Sequence, residues 1–145
     1  MTLRVEVFAL DGSPDQAKPF AVTESAYGVR RLQPRQKPRG ENRQDLSGVF
    51  HVVDAETRAF AYERIADDPR VTQTLPLAID AYGVVTRSAS LAYPRRTPPA
   101  GLPEQAALHA VVTESDVLHL DNEPNGRRLS IPLEARTWDL TGLTG

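Results

Sequence analysis

An all-β chain, built from antiparallel hairpins of roughly eight strands as a sandwich or an open twisted sheet, is the fold class this sequence predicts. Three observations predict it. Short runs rich in Val, Leu, Thr and Tyr recur along the chain, with apolar and polar residues in partial alternation. Twelve prolines and nine glycines interrupt the chain too often for long helices. Two stretches, DAYG and DNEPNG, carry hairpin-turn chemistry between such runs.

The elements follow in order. Arg4 to Leu10 is β-branched and aromatic, and Asp11-Gly12-Ser13-Pro14 stops it with turn residues. Phe20–Glu24 and Tyr27–Leu32 read as a second strand with a bulge expected at Gly28. Residues 34–47 are almost without apolar side chains and read as a mobile basic loop. Gly48–Val53 resumes strand character, Asp54-Ala55-Glu56 reads as a turn, and Thr57–Arg64 returns with Phe60 and Tyr62 on one face. Leu75, Leu77 and Ile79 alternate along the next strand, where Pro76 marks an edge or a bulge. Asp80 and Gly83 begin and end a hairpin loop, Gly83 being free to take positive φ. Val85, Ala89, Leu91 and Tyr93 form the returning arm. Residues 94–105 are a proline-rich connector. Ala107–Leu120 is a long strand, Asn125 and Gly126 close the second hairpin, and Leu129, Ile131 and Leu133 alternate along its far side. A turn or two of helix fits only within 102–110 or 54–64. The 145 residues make one β domain.

Composition narrows the function. Charged residues are 25%, apolar ones 40%, and the net charge of -2 gives no field that would draw nucleic acid or an anionic membrane. No apolar run approaches the length of a membrane span, so direct membrane insertion is not expected. The start, MTLRVEVFALDGS, lacks the apolar core of a secretory signal. The absence of cysteine excludes disulfides, thiolate metal sites and a cysteine nucleophile.

Reactive constellations are also missing. His51, His109 and His119 lack metal-ligand spacing, so no metal is expected. No serine lies in a G-x-S-x-G context, and no phosphate loop is present, so no cofactor is expected. From Arg30 to Arg43 there are six basic residues and one acid, but no aromatic is interleaved to stack on bases. That stretch reads as a solvated loop, and nucleic acid is not expected as a partner.

YERIADDPR, residues 62–70, holds three acids and two arginines. Asp67 and Asp68 are adjacent on an extended backbone and face apart, which suits a shared catalytic site poorly. Asp68-Pro69 is a turn start: the carboxylate accepts nearby N–H groups and proline fixes φ. Arg64 and Arg70 flank it and fit Glu63, Asp67 or Asp68 as forked ion pairs. Tyr62, Glu63, Arg64, Asp68, Pro69 and Arg70 are therefore expected to form a structural clamp.

The same residues carry a resemblance. Tyr62-Glu63-Arg64, a short spacer, and Asp68-Pro69-Arg70 resemble a motif in the middle/C-terminal region of the B component of bacterial Tc insecticidal toxins, the TcdB-like and SpvB-like group. The strand, acidic turn and strand from Leu75 to Arg96 are similar as well. So are VFALDGS at 7–13, the strand from Pro19 to Gln33, and Pro132 to Leu143. The loop at 34–47 is longer than the pattern, and 97–110 does not align.

The resemblance implies a role. In that family the B component joins a C component to build a hollow β-sheet shell around a cytotoxic segment. A pore-forming A component accepts the cargo. This chain would be a non-catalytic piece of the shell, secreted as part of the larger toxin. Its partners would be the rest of the B chain and the C and A components. An excised piece is expected to self-associate through its strand edges. A stand-alone β-sandwich module binding protein or carbohydrate is the alternative. A small hydrolase using Glu63 with Asp67 or Asp68 is a third reading.

Overall fold

The computed structural model describes residues 2–35, 47–124 and 126–143. Seven strands form one open antiparallel sheet: β1 (Arg4–Val7), β2 (Ala21–Gln33), β3 (Val49–Ala61), β4 (Arg70–Ile79), β5 (Val85–Ala92), β6 (His109–Leu120) and β7 (Arg128–Leu140). Their spatial order is their chain order, so each strand pairs with the one before and the one after it. One 3-10 helix, Pro103–Ala106, lies in the proline-rich connector. The expected mobile loop at 34–47 falls, over 36–46, outside the described residues.

Two local expectations are corrected. Asp54-Ala55-Glu56 is not a turn: β3 runs through it, which brings the strand count to seven. β2 offers it a continuous partner, and the extra residue is absorbed as a bulge. Ala26 pairs with Glu56 and Tyr27 with Asp54, leaving Ala55 unmatched. The bulge expected at Gly28 thus sits just before it and on the opposite strand. Gly28 lies beside the bulge, where a Cβ would come within 3.3 Å of Val53 Cγ2.

Pro76 stands in a central strand, yet where its missing N–H costs least. The β3–β4 pairing ends at Thr57 and Thr74, so the β3 side is already open at Pro76. On the β5 side, Pro76 pairs with Ser88 and Ala78 with Arg87, with Leu77 bulged between them.

Paired residues share a face, so the register sorts the side chains. One face carries Val22, Phe60, Val71, Gln73, Leu91 and Ala110 across the middle of the sheet. Leu75, Ala89, Val112 and Trp138 make its next row. Each ion pair joining two described strand residues also lies on this face: Arg4 with Glu6 and Glu24, Arg58 with Glu56, Arg87 with Glu114, and Arg136 with Glu134.

The opposite face is different. One row is Ser25, Thr57, Thr74, Ser90 and Val111. Ser88, Thr113 and Thr137 follow in the next, where the two threonine hydroxyls lie 3.3 Å apart. Thr23, Ala59, Thr72 and Ala92 form the row on the other side.

Among the described residues the sheet stands alone, with no second layer on either face. Only Val22 and Ala110 are buried apolar residues among those described. The accessible surface, 10928 Å², compares with about 7,400 Å² for a compact monomer of this mass.

Candidate functional site

The YERIADDPR corner ties three separated segments together. Phe20 C=O accepts the N–H groups of Tyr62 and Glu63, each at 3.0 Å, where β3 leaves the sheet. The chain then reverses through left-handed residues, Glu63 at φ 49° and Arg64 at φ 69°, and Ile65 N–H donates to Tyr62 C=O at 2.7 Å. The Tyr62 ring stacks on Phe60 with centroids 6.1 Å apart. Arg70, the first residue of β4, ion-pairs with Glu63 across the turn. Pro69 sets the entry to that strand.

The other members reach further than the local sequence suggests. Arg64 turns away from Asp67 and Asp68 and pairs with Asp11 at 2.5 Å, also donating to Ser13 Oγ at 3.2 Å. Asp68, 9% exposed, faces the proline-rich connector. Its Oδ2 accepts from Arg95 Nε at 3.1 Å and the Thr97 amide at 3.3 Å, and its Oδ1 from the Arg96 amide at 2.9 Å. Arg95 and Arg96 also donate to the backbone carbonyls of Asp68 and Asp67, at 2.9 and 3.2 Å. Burial pushes the Asp68 carboxyl up, but the Arg96 amide, the Arg95 guanidinium and the Thr97 amide outweigh it and hold the group below its ordinary value. Asp68 is buried in these bonds, whereas Asp67 beside it is exposed.

The second cluster surrounds the β4–β5 hairpin. Asp80 Oδ1 accepts the Tyr82 and Val84 amides at 2.8 and 2.9 Å, and Gly83 takes φ 89°. Asp80 Oδ2 meets His119 Nε2 at 2.8 Å. Tyr82 stacks on the His119 ring with centroids 4.1 Å apart and donates its hydroxyl to Asp121. That hydrogen bond, with burial, raises the Tyr82 phenol, and the same bond lowers Asp121. Asp80 is lowered too: burial opposes, while the Val84 amide, His119 and the Tyr82 amide prevail. Across the sheet, Gly126 in the β6–β7 connection has φ 147°; its expected companion Asn125 lies outside the described residues.

An aspartate against a histidine invites comparison with a catalytic dyad, but the geometry opposes it. Ser130 N–H donates to His119 Nδ1 at 3.2 Å. Nδ1 is therefore the acceptor nitrogen, and Nε2 carries the hydrogen given to Asp80. Neither ring nitrogen is left for a nucleophile or a substrate proton. His51 faces Gly83, and His109 Nε2 meets Glu104 C=O at 2.8 Å, so the three histidines stay apart. Among the described residues no group of three His, Asp or Glu side chains is placed to hold a metal ion. The depression beside His119, about 460 Å³, is open, and two pairs of its lining groups are already engaged with each other, Arg87 with Glu114 and Asp80 with His119.

Residues 1–128 match the family described as insecticide toxin TcdB middle/C-terminal region. The crystal structure of TcdB2–TccC3 is 29% identical, with a TM-score of 0.74 over 96% of this chain. The TcdB2–TccC3–Cdc42 structure gives 29% identity and 0.73 over 94%. A Photorhabdus luminescens Tc holotoxin pore gives 29% and 0.71 over 95%. The chain spans 7% of each of those chains. No curated protein matches it.

Proposed function

Because this chain belongs to the insecticide toxin TcdB middle/C-terminal region family, we propose that it works as a non-catalytic wall segment of a Tc-type toxin B component. In this reading the segment extends the β-sheet shell that encloses a cytotoxic effector and releases it to the pore. Its partners are the remainder of the B chain, the C component and the A component. It leaves the cell as part of that larger toxin. No cofactor, metal or nucleic acid enters the reading.

One observation carries the proposal: a meander of seven strands in which, among the described residues, both faces and both outer edges stand open. A globular binding module would close such a sheet with a second layer. A wall leaves it open, because neighbouring strands supply the missing backbone partners. β7 offers the longest outer edge, thirteen residues paired on one side only. At the other end β1 covers β2 only from Ala21 to Glu24. The YERIADDPR corner and the Asp80 hairpin act in this reading as pins that hold turns at fixed angles. They give the strands a constant register where neighbours must pair.

Hydrogen exchange tests the wall directly. In the full-length B component joined to its C component, the outward amides of β7 are expected to exchange slowly. In the isolated chain they exchange fast at low concentration, and light scattering detects association as concentration rises. Fast exchange at β7 in the joined complex, or a strictly monomeric isolated chain at high concentration, would count against the wall.

A further inference from the structure

The two faces of the sheet differ in a way that a wall can use. On one, ion pairs alternate with apolar rows. The guanidinium of Arg136 and the carboxylate of Glu134 are 57% and 51% exposed, and those of Arg87 and Glu114 52% and 36%. On the other, hydroxyls and methyls of Ser, Thr and Ala cover the central rows, with Thr113 against Thr137 as their clearest contact. The contrast is complete over β5 to β7, where the ionisable members of this face are His109 and Asp139 at the margins of the rows. Toward β1 to β3 the same face also carries Arg31, Asp54, Val29, Val52 and Phe50, and Arg70 at the start of β4.

We propose that over β5 to β7 the hydroxyl face is turned toward the enclosed cargo, an unfolded polypeptide, and that the charged face is turned to solvent. This rests on the wall reading above. An unfolded chain presents charges and apolar side chains together. A wall that bears ion pairs would exchange partners with those charges, and exposed Leu or Trp would capture the apolar groups by burying their surface. Serine and threonine do neither. A hydroxyl bonded to water gains little by trading it for a peptide group, because each bond made replaces one already held. Small side chains also keep the wall smooth, so an extended chain meets no pocket in which to lodge. The opposite requirement holds outside. A soluble particle needs interspersed charge of both signs on its outer surface, which is the pattern of Arg87, Glu114, Glu134 and Arg136.

Arg136 and Thr137 are neighbours on β7 and face opposite ways, so depth and local mobility are matched. The segment contains no cysteine of its own. In the full-length B component joined to its C component, Arg136→Cys is expected to react with a bulky polyethylene-glycol maleimide, and Thr137→Cys to resist it until denaturant opens the shell. Unsubstituted protein gives the background. Glu114→Cys and Thr113→Cys repeat the comparison on β6, should a β7 variant fail to fold. The reverse pattern would overturn the assignment and leave the wall standing. Equal labelling of both positions would remove the wall and the assignment with it. Protection of both would show the charged face covered, which also overturns the assignment.

Discussion

Replacing Asp68 with alanine is expected to lower the melting temperature of the chain by about 5–10 °C, measured by circular dichroism. The reason is the company this carboxylate keeps. It is 9% exposed and accepts from Arg95, the Arg96 amide and the Thr97 amide. Alanine removes all three acceptors at once and leaves a half-buried guanidinium without its counter-charge. The connector then loses its hold on the end of β4. Asp68→Asn keeps an oxygen for the Arg96 amide and loses the charge, so its melting temperature should fall between the two. A role confined to the exposed pair of Arg70 and Glu63 would predict a far smaller loss, because surface pairs contribute little.

The same carboxylate sets a pH dependence. Its folded-state pKa is lowered, so its contribution is present above the unfolded value of about 3.9. It is lost as the pH falls through the lower, folded value. Asp80, lowered by its own amide donors and His119, acts in the same direction. The stability of the native chain should therefore start to fall as the pH drops through the ordinary carboxylate range and keep falling to the lower, folded value, and the Asp68→Ala chain should show a shallower acid limb. An unchanged acid limb would mean that these bonds do not differ between the folded and unfolded chains.

What the sequence revealed, and what it hid, follows from distance along the chain. The strands were legible because alternation is a local signal: Leu75, Leu77 and Ile79 mark β4 without knowledge of any neighbour. The Asp80–Gly83 loop was legible because an Asp side chain bonds to amides two and four residues on. The turn assigned to Asp54-Ala55-Glu56 failed because a bulge and a turn use similar residues, and only the partner strand decides between them. The partners of Arg64 and Asp68 were hidden for another reason. Asp11, Ser13 and Arg95 to Thr97 lie in other loops, and a meander brings loop ends together in ways no short window displays. His119 looked like an ordinary strand histidine. Its place between Asp80, Tyr82 and Ser130 depends on two hairpins arriving at one point.

Gly83 is where the β4–β5 hairpin leaves the least room against β3, and Gly83→Ala should be the most damaging single-methyl change among the described glycines. Two costs combine. At φ 89° an alanine carries strain of about 1–2 kcal/mol. Its Cβ would also fall 2.1 Å from His51 Cε1 and 2.7 Å from His51 Nε2, so the imidazole of β3 must move. Overpacking of this kind adds about 1–3 kcal/mol. Gly12 separates the two terms, since it has φ 74° and nothing within 4 Å of the place a methyl would take. Gly12→Ala should cost only the strain. His51→Ala should then rescue Gly83→Ala in part, because it removes the obstructing ring and leaves the backbone cost in place. Urea unfolding of the two single variants and the double variant measures this coupling. A coupling near zero would mean that His51 swings aside freely, and that the β4–β5 hairpin does not rest against β3 in solution.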